Sequence, residues 1–274
     1  MELYTIASML LRRIKRWNGV LAVMVIILFS VCMFATIVHR SQLQRHSVQT
    51  NSFQPPAKPP QNLDQLLSPK ADEFDGVDIA RMNLLCAEGL PGAENLNVEE
   101  CLTTLDQWAQ HIKAETDRNY HRFREDPAYF SNSEAFYKML MIAVVLYEDY
   151  GVHYNPKLIT SPDAAVADDG FFTDSRDILL HGLTGPQHLG TCSSMPVLYI
   201  ALGRRLGYPL KLVKAKGHLF IRWDSPMEKF DMDATGKGLD KYDDEFYRKW
   251  PFPLSEVDIQ EEDYLKSLSS KEEL

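Results

Sequence analysis

Cys192 has the surroundings that best suit chemistry, because a glycine turn delivers it to the start of an apolar segment with helical spacing. The turn has the sequence Gly190-Thr191-Cys192-Ser193-Ser194, and the apolar segment ends at Leu206-Gly207, where glycine is the expected helix stop. A thiol at a helix N-terminus meets the positive end of the helix dipole, which favours the nucleophilic thiolate. The pattern predicts a nucleophile; the alternative is a cysteine that only packs.

A histidine and an aspartate follow in the order that an activated cysteine needs. His218 lies 26 residues after Cys192 and begins a strand-like segment, and Asp233 lies 15 residues further, in the next such segment. Adjacent antiparallel strands can present both side chains on one face, and we expect the Cys192 helix to pack across that face. The prediction is that Cys192 is the nucleophile, His218 the general acid and base, and Asp233 the residue that orients the histidine.

Three alternatives for this site remain open. Asp231 lies two residues before Asp233, on the same strand face, and is the reserve for orienting the histidine. The backbone N–H of Cys192 is a natural oxyanion donor, and Gln187 is a candidate second donor. His218 could also be a structural strand histidine.

The chemistry of a cysteine triad requires no cofactor and no metal, and none is predicted. The chain has no C-x-x-C pair, so a structural zinc site has no support. Metal alternatives are a site shared by His181, His188 and Cys192, or a calcium ion in an acidic loop. The members of that loop are Asp163, Asp168, Asp169, Asp174 and Asp177. Cys86 and Cys101 fall on adjacent predicted helices, where they are either a disulfide or two buried free thiols.

The N-terminal region predicts a membrane anchor. Residues 1–16 are basic, residues 17–38 are uncharged and almost wholly apolar, and residues 39–73 form a Pro- and Gln-rich tether. The positive-inside rule places the N-terminus in the cytoplasm and the rest on the non-cytoplasmic side, as in a periplasmic domain. A cleaved signal peptide is the alternative. Beyond residue 50 the chain has 23 Lys and Arg against 37 Asp and Glu, which argues against nucleic acid as a partner.

Helices come first in the folded part and strands later, which predicts an α+β class. Residues 74–151 carry apolar positions at helical spacing, and residues 152–190 are rich in loop formers. Strands are predicted at 210–215, 218–223 and 229–235, and helices at 242–249 and 255–268.

Three motifs together resemble the transglutaminase-like superfamily. They are Gly190-Thr191-Cys192, Gly217-His218-Leu219-Phe220 and Met232-Asp233-Ala234-Thr235-Gly236. The resemblance implies a Cys-His-Asp triad on a papain-like core, in which a helix packs on an antiparallel sheet. The third motif departs from the Asp-Pro-Thr that is common in the superfamily.

Further segments are similar to a bacterial branch of that superfamily, which has a helical segment before the core. They include Ala87-Glu88-Gly89-Leu90-Pro91-Gly92 and Pro196-Val197-Leu198-Tyr199. The resemblance implies a helical segment at 74–151 and a catalytic core with a C-terminal helix at 152–274.

Two classes of function follow. In the first, the chain is a membrane-anchored enzyme that acts on peptide or protein carboxamides through a Cys192 thioester. Water as the second substrate gives an amidase or peptidase, and a primary amine gives a transglutaminase. In the second, the fold is a non-catalytic interaction module in a cell-envelope assembly, with protein partners that the sequence does not identify.

Overall fold

The structure is a computed structural model that describes residues 59–68, 76–159, 173–236 and 240–274. Over these ranges helices combine with a small antiparallel sheet, so the predicted combination is confirmed. No helix in these ranges is both long and apolar enough to cross a membrane. The span predicted at 17–38 lies outside the described residues.

Helices dominate the first half of the described chain, as predicted for 74–151. They are α1 (Leu63–Leu67), α2 (Ile79–Leu85), α3 (Val98–Glu125) and α4 (Glu134–Val144), with a short π-helical turn at Val145–Asp149. Asp78, Asn97 and Ser133 cap α2, α3 and α4 by accepting a backbone N–H from the first turn. Such side chains satisfy N–H groups that have no partner within the helix.

Within the predicted tether, the described residues 59–68 contain a helix. Asn62 caps α1, and Leu66 is buried in the main core. The backbone N–H of Leu63 also donates to the Glu88 carboxylate at 3.0 Å. These contacts attach α1 to the helical segment.

The loop-rich region contains two short helices and a parallel strand pair. These elements are β1 (His153–Tyr154), α5 (Ser175–Ile178), α6 (Leu180–Thr184) and β2 (Leu189–Gly190). Tyr154 lies opposite Gly190 in the parallel pair. This pairing connects the end of the helical segment to the residues directly before Cys192.

The central helix α7 (Met195–Arg205) is followed by the sheet. The strands are β3 (Leu210–Ala215), β4 (His218–Asp224) and β5 (Lys229–Met232), antiparallel in the order β3-β4-β5. Helix α7 is buried along nearly its whole length. It approaches β3 closely, since a Cβ at Gly203 would lie 2.2 Å from a methyl carbon of Leu210.

The sheet has two buried faces. Leu212, Ile221 and Met232 belong to the main core with α7, whereas Val213 and Phe220 belong to a second, smaller core. His218 shares the face of Phe220 because side chains alternate along a strand. The expectation that α7 packs across the face of the histidine is therefore wrong. His218 is the first residue of β4, so its ring lies at the end of the sheet and can still reach Cys192.

The C-terminal part covers the second face. It contains α8 (Asp244–Tyr247) and α9 (Glu256–Glu261). The helix predicted at 255–268 is thus too long: Asp263 and Leu265 have positive φ, which breaks the helix. The following segment pairs with the open edge of β3, where the N–H of Leu268 donates to the carbonyl of Leu212 at 2.9 Å.

Candidate active site

Cys192 lies in a tight turn that leads into α7. The helix begins at Met195, three residues later than its predicted start near Cys192. The Met195 N–H nevertheless donates to the Thr191 carbonyl at 3.0 Å, so the turn continues the helical hydrogen-bond pattern backwards. The Ser194 hydroxyl accepts the N–H of Thr191 at 3.1 Å and closes the turn. Cys192 itself is half-buried.

Gly190 lets this turn pack closely against its neighbours. A Cβ at this position would lie 2.7 Å from a Leu183 methyl carbon and 2.8 Å from the Ser194 hydroxyl oxygen. Both distances are too short for real contacts, so a side chain here would move the turn that holds Cys192.

His218 and Asp233 meet as the sequence predicts. His218 Nε2 and Asp233 Oδ2 are 2.7 Å apart, and the two residues are only 6% and 3% exposed. Cys192 lies beside the same ring. Because Nε2 faces Asp233, Nδ1 is the ring nitrogen left for the thiol. The structure therefore brings the three predicted residues together in the order cysteine, histidine, aspartate.

Hydrogen bonding stabilises the charged forms of both His218 and Asp233. Burial alone would lower the pKa of His218, but hydrogen bonds to Asp233 and Cys192 outweigh it and raise the pKa from 6.5 to about 9. Burial alone would raise the pKa of Asp233, yet hydrogen bonds from His218 and Thr235 hold it below its usual value. At neutral pH the pair is thus an imidazolium and a carboxylate.

Two residues that the sequence analysis missed hold the Asp233 carboxylate. Oδ1 accepts the backbone N–H of Thr235 at 2.8 Å and also its hydroxyl, and Oδ2 accepts the hydroxyl of Tyr247 at 3.3 Å. The Asp-x-Thr spacing is typical of an Asx turn and could have revealed Thr235. Tyr247 had no such local signal, because it arrives from α8.

Asp231 is engaged elsewhere. Its two oxygens accept from Arg222, with Nε to Oδ1 at 2.6 Å and Nη2 to Oδ2 at 2.8 Å. The strand register places these two residues directly opposite each other. The geometry therefore favours Asp233 over the reserve candidate for orienting His218.

Tyr154 is a further residue at Cys192 that the sequence analysis missed. Burial raises the pKa of this phenol, and Cys192 is the group whose charge raises it further. Gln187, the candidate second oxyanion donor, is exposed on the surface. A two-residue strand such as β1 is too short to leave a recognisable pattern in sequence, which explains why Tyr154 was not found.

The histidines of the metal alternative make other contacts. His181 Nε2 lies 3.0 Å from the Ser175 hydroxyl, and His188 Nδ1 lies 2.8 Å from the Leu183 carbonyl. Among the described residues, no group of three or more His, Cys, Asp or Glu side chains is arranged to hold a metal.

Two members of the acidic loop accept hydrogen bonds, and Cys86 and Cys101 do not form a disulfide. Asp163, Asp168 and Asp169 lie outside the described residues, whereas Asp174 caps α5 and Asp177 accepts from Asn155. Cys86 and Cys101 are free thiols, and burial raises the pKa of each.

Comparison with known proteins supplies no relative: no protein-family model, curated protein or solved structure matches the chain. What the protein does is therefore inferred from its own residues.

Proposed function

We propose that this chain is a transglutaminase-like cysteine enzyme that acts on peptide or protein carboxamides through a Cys192 thioester. The buried 2.7 Å contact between His218 and Asp233, with Cys192 against the same imidazole, carries the proposal. The order of elements supports it: a turn and helix with the cysteine, then a strand that begins with the histidine, and an adjacent antiparallel strand that ends one residue before the aspartate.

The residues can perform both halves of an acyl transfer. The Cys192 thiolate adds to the carboxamide carbon, and the backbone N–H of Cys192 stabilises the resulting oxyanion. The His218 imidazolium gives its proton to the departing ammonia or amine, leaving a thioester and a neutral imidazole. That imidazole then takes a proton from water or from a primary amine as it attacks the thioester, and the thiolate is released.

An aromatic surface beside the histidine suits a peptide substrate. The ring of Trp250 lies 4.8 Å from that of His218 and is 38% exposed. Phe246 follows at 5.5 Å from Trp250, and Tyr242 stacks on Phe246 at 4.0 Å. Exposed aromatic rings of this kind offer contact area to a polypeptide chain.

We also propose that residues 17–38 anchor the enzyme as a single membrane span, with the catalytic domain on the non-cytoplasmic side. The support is the uncharged apolar sequence and the basic residues before it. The net charge of −9 supports substrates other than nucleic acid.

Alkylation by iodoacetamide tests the thiolate at the site. With the full chain, we expect Cys192 to be alkylated at about pH 6, where an ordinary thiol with a pKa of about 8.5 reacts slowly. Cys86 and Cys101 serve as internal controls in the same sample, with each adduct located by mass. His218→Ala should slow alkylation of Cys192 alone. Similar alkylation rates at Cys192, Cys86 and Cys101 would contradict an activated cysteine.

Substrate turnover tests the reaction. The full chain is incubated with a glutamine-containing peptide, with and without a fluorescent primary amine, and ammonia release is measured. Release that disappears in Cys192→Ala identifies the enzyme; incorporation of the amine distinguishes a transglutaminase from an amidase. If neither ammonia release nor an acyl adduct on Cys192 appears, the non-catalytic module is the better account.

A further inference from the structure

Tyr154 is held against the cysteine turn by backbone pairing. It lies opposite Gly190 in the parallel pair of β1 and β2, and the next N–H, that of Asn155, donates to the Gly190 carbonyl at 2.8 Å. The Asn155 side chain is buried and donates to Asp177 at 2.8 Å. Tyr154 is therefore held in β1 beside β2, the strand that leads into Cys192.

The hydroxyl of Tyr154 occupies a position that the proposed reaction needs. The pairing with Gly190 brings Tyr154 beside Cys192, whose backbone N–H is the one expected to stabilise an oxyanion. Burial, together with the nearby Cys192 and Asp233, raises the pKa of Tyr154, so the hydroxyl keeps its proton and can donate it in a hydrogen bond.

We propose that Tyr154 is the second oxyanion donor of this site, in the role that the sequence analysis considered for Gln187. A substrate carbonyl oxygen that accepts the Cys192 N–H lies beside the phenol. The Tyr154 hydroxyl then donates to that carbonyl oxygen as negative charge develops on it. This inference rests on the proposed function, because only acyl chemistry generates the oxyanion.

The proposed role of Tyr154 is tested by comparing two reactions of the Cys192 thiol, only one of which passes through an oxyanion. Acylation by p-nitrophenyl acetate passes through an oxyanion, whereas alkylation by iodoacetamide displaces iodide at a CH₂ carbon and does not. In Tyr154→Phe, loss of one oxyanion donor should slow acylation of Cys192 by about 100-fold. The rate of alkylation should change little. Tyr137→Phe is the matched control, since its buried hydroxyl donates to the remote Thr116 carbonyl.

The results of this experiment distinguish failure of the Tyr154 role from failure of the proposed function. Equal loss of acylation and alkylation in Tyr154→Phe would mean that the hydroxyl only stabilises the thiolate, and faster acylation would mean that it blocks the site; either overturns the proposal. A wild-type protein that is alkylated at Cys192 but never acylated would overturn the proposed function itself.

A second variant keeps the test decisive if Tyr154→Phe does not fold. Tyr154→3-fluorotyrosine preserves the ring and the hydroxyl but makes the hydroxyl a stronger donor. The ratio of the acylation rate to the alkylation rate should then rise at about pH 6, where the buried phenol stays protonated. An unchanged ratio would overturn the proposal.

Discussion

Replacing Asp233 with asparagine removes the charge that keeps His218 protonated. The pKa of His218 is raised from 6.5 to about 9 against the opposing effect of burial, and the hydrogen bond to Asp233 is the largest raising cause. In Asp233→Asn, burial remains while the carboxylate is gone. Only Cys192 then still raises the pKa of His218 against burial, so we expect this pKa to fall below about 9.

The magnitude follows from linkage between protonation and folding. A rise of 2.5 in the pKa of His218, at about 1.36 kcal/mol for each pKa unit, stabilises the folded protein by about 3 kcal/mol. Because the folded pKa lies above the unfolded one, this stabilisation is fully present below pH 6.5. It is lost as the pH rises through about 9. The asparagine variant should lack this loss over the same pH window.

The assay is a pH titration of the histidine ring signals by NMR on the full chain, with unfolding by urea at each pH. His218→Gln identifies the signal of His218. Asp231→Asn is the matched control, since that carboxylate pairs with Arg222, which keeps its contacts with Asp244 and the Leu265 carbonyl. The reasoning is refuted if His218 titrates near 6.5 in the wild type, or if both aspartate variants shift it equally.

Two further substitutions test the packing around the site. Gly190→Ala should lower the free energy of unfolding by about 1–3 kcal/mol, because its methyl group would overlap Leu183; a urea midpoint equal to that of the wild type would contradict this close packing. Arg222→Met should lower the free energy of unfolding by about 3–5 kcal/mol, because it leaves Asp231 buried and without its strongest partner. Adding Asp231→Leu should restore most of that stability. Failure of the double variant to recover would show that Arg222 acts through other contacts.

Local signals in the sequence were enough to identify the candidate nucleophile and its partners. The glycine turn before Cys192 and the apolar helix after it involve neighbours a few residues apart, so their pattern is visible in one dimension. The helix starts at Asp78 and Asn97 depend on equally local hydrogen bonds. The strand that begins at His218 followed from alternation over a short segment, whereas the strand predicted at 229–235 ends at Met232, one residue before Asp233.

Contacts between residues far apart in the chain decided the features of the site that local patterns could not predict. Alternation over the predicted strand could not separate Asp231 from Asp233; the strand register did, by placing Asp231 opposite Arg222. Which sheet face α7 covers depends on how the two cores divide the strands. Tyr154 and Tyr247 reach the site from distant segments, through contacts that no local pattern records.

The sequence alone thus predicted the cysteine, the histidine and the aspartate of the candidate site and their order along the chain. The tertiary structure decided which carboxylate meets His218 and which hydroxyl meets Cys192. The physical reason is that capping, turns and periodicity act over a few residues, whereas strand register and burial depend on segments that meet only when the chain has folded.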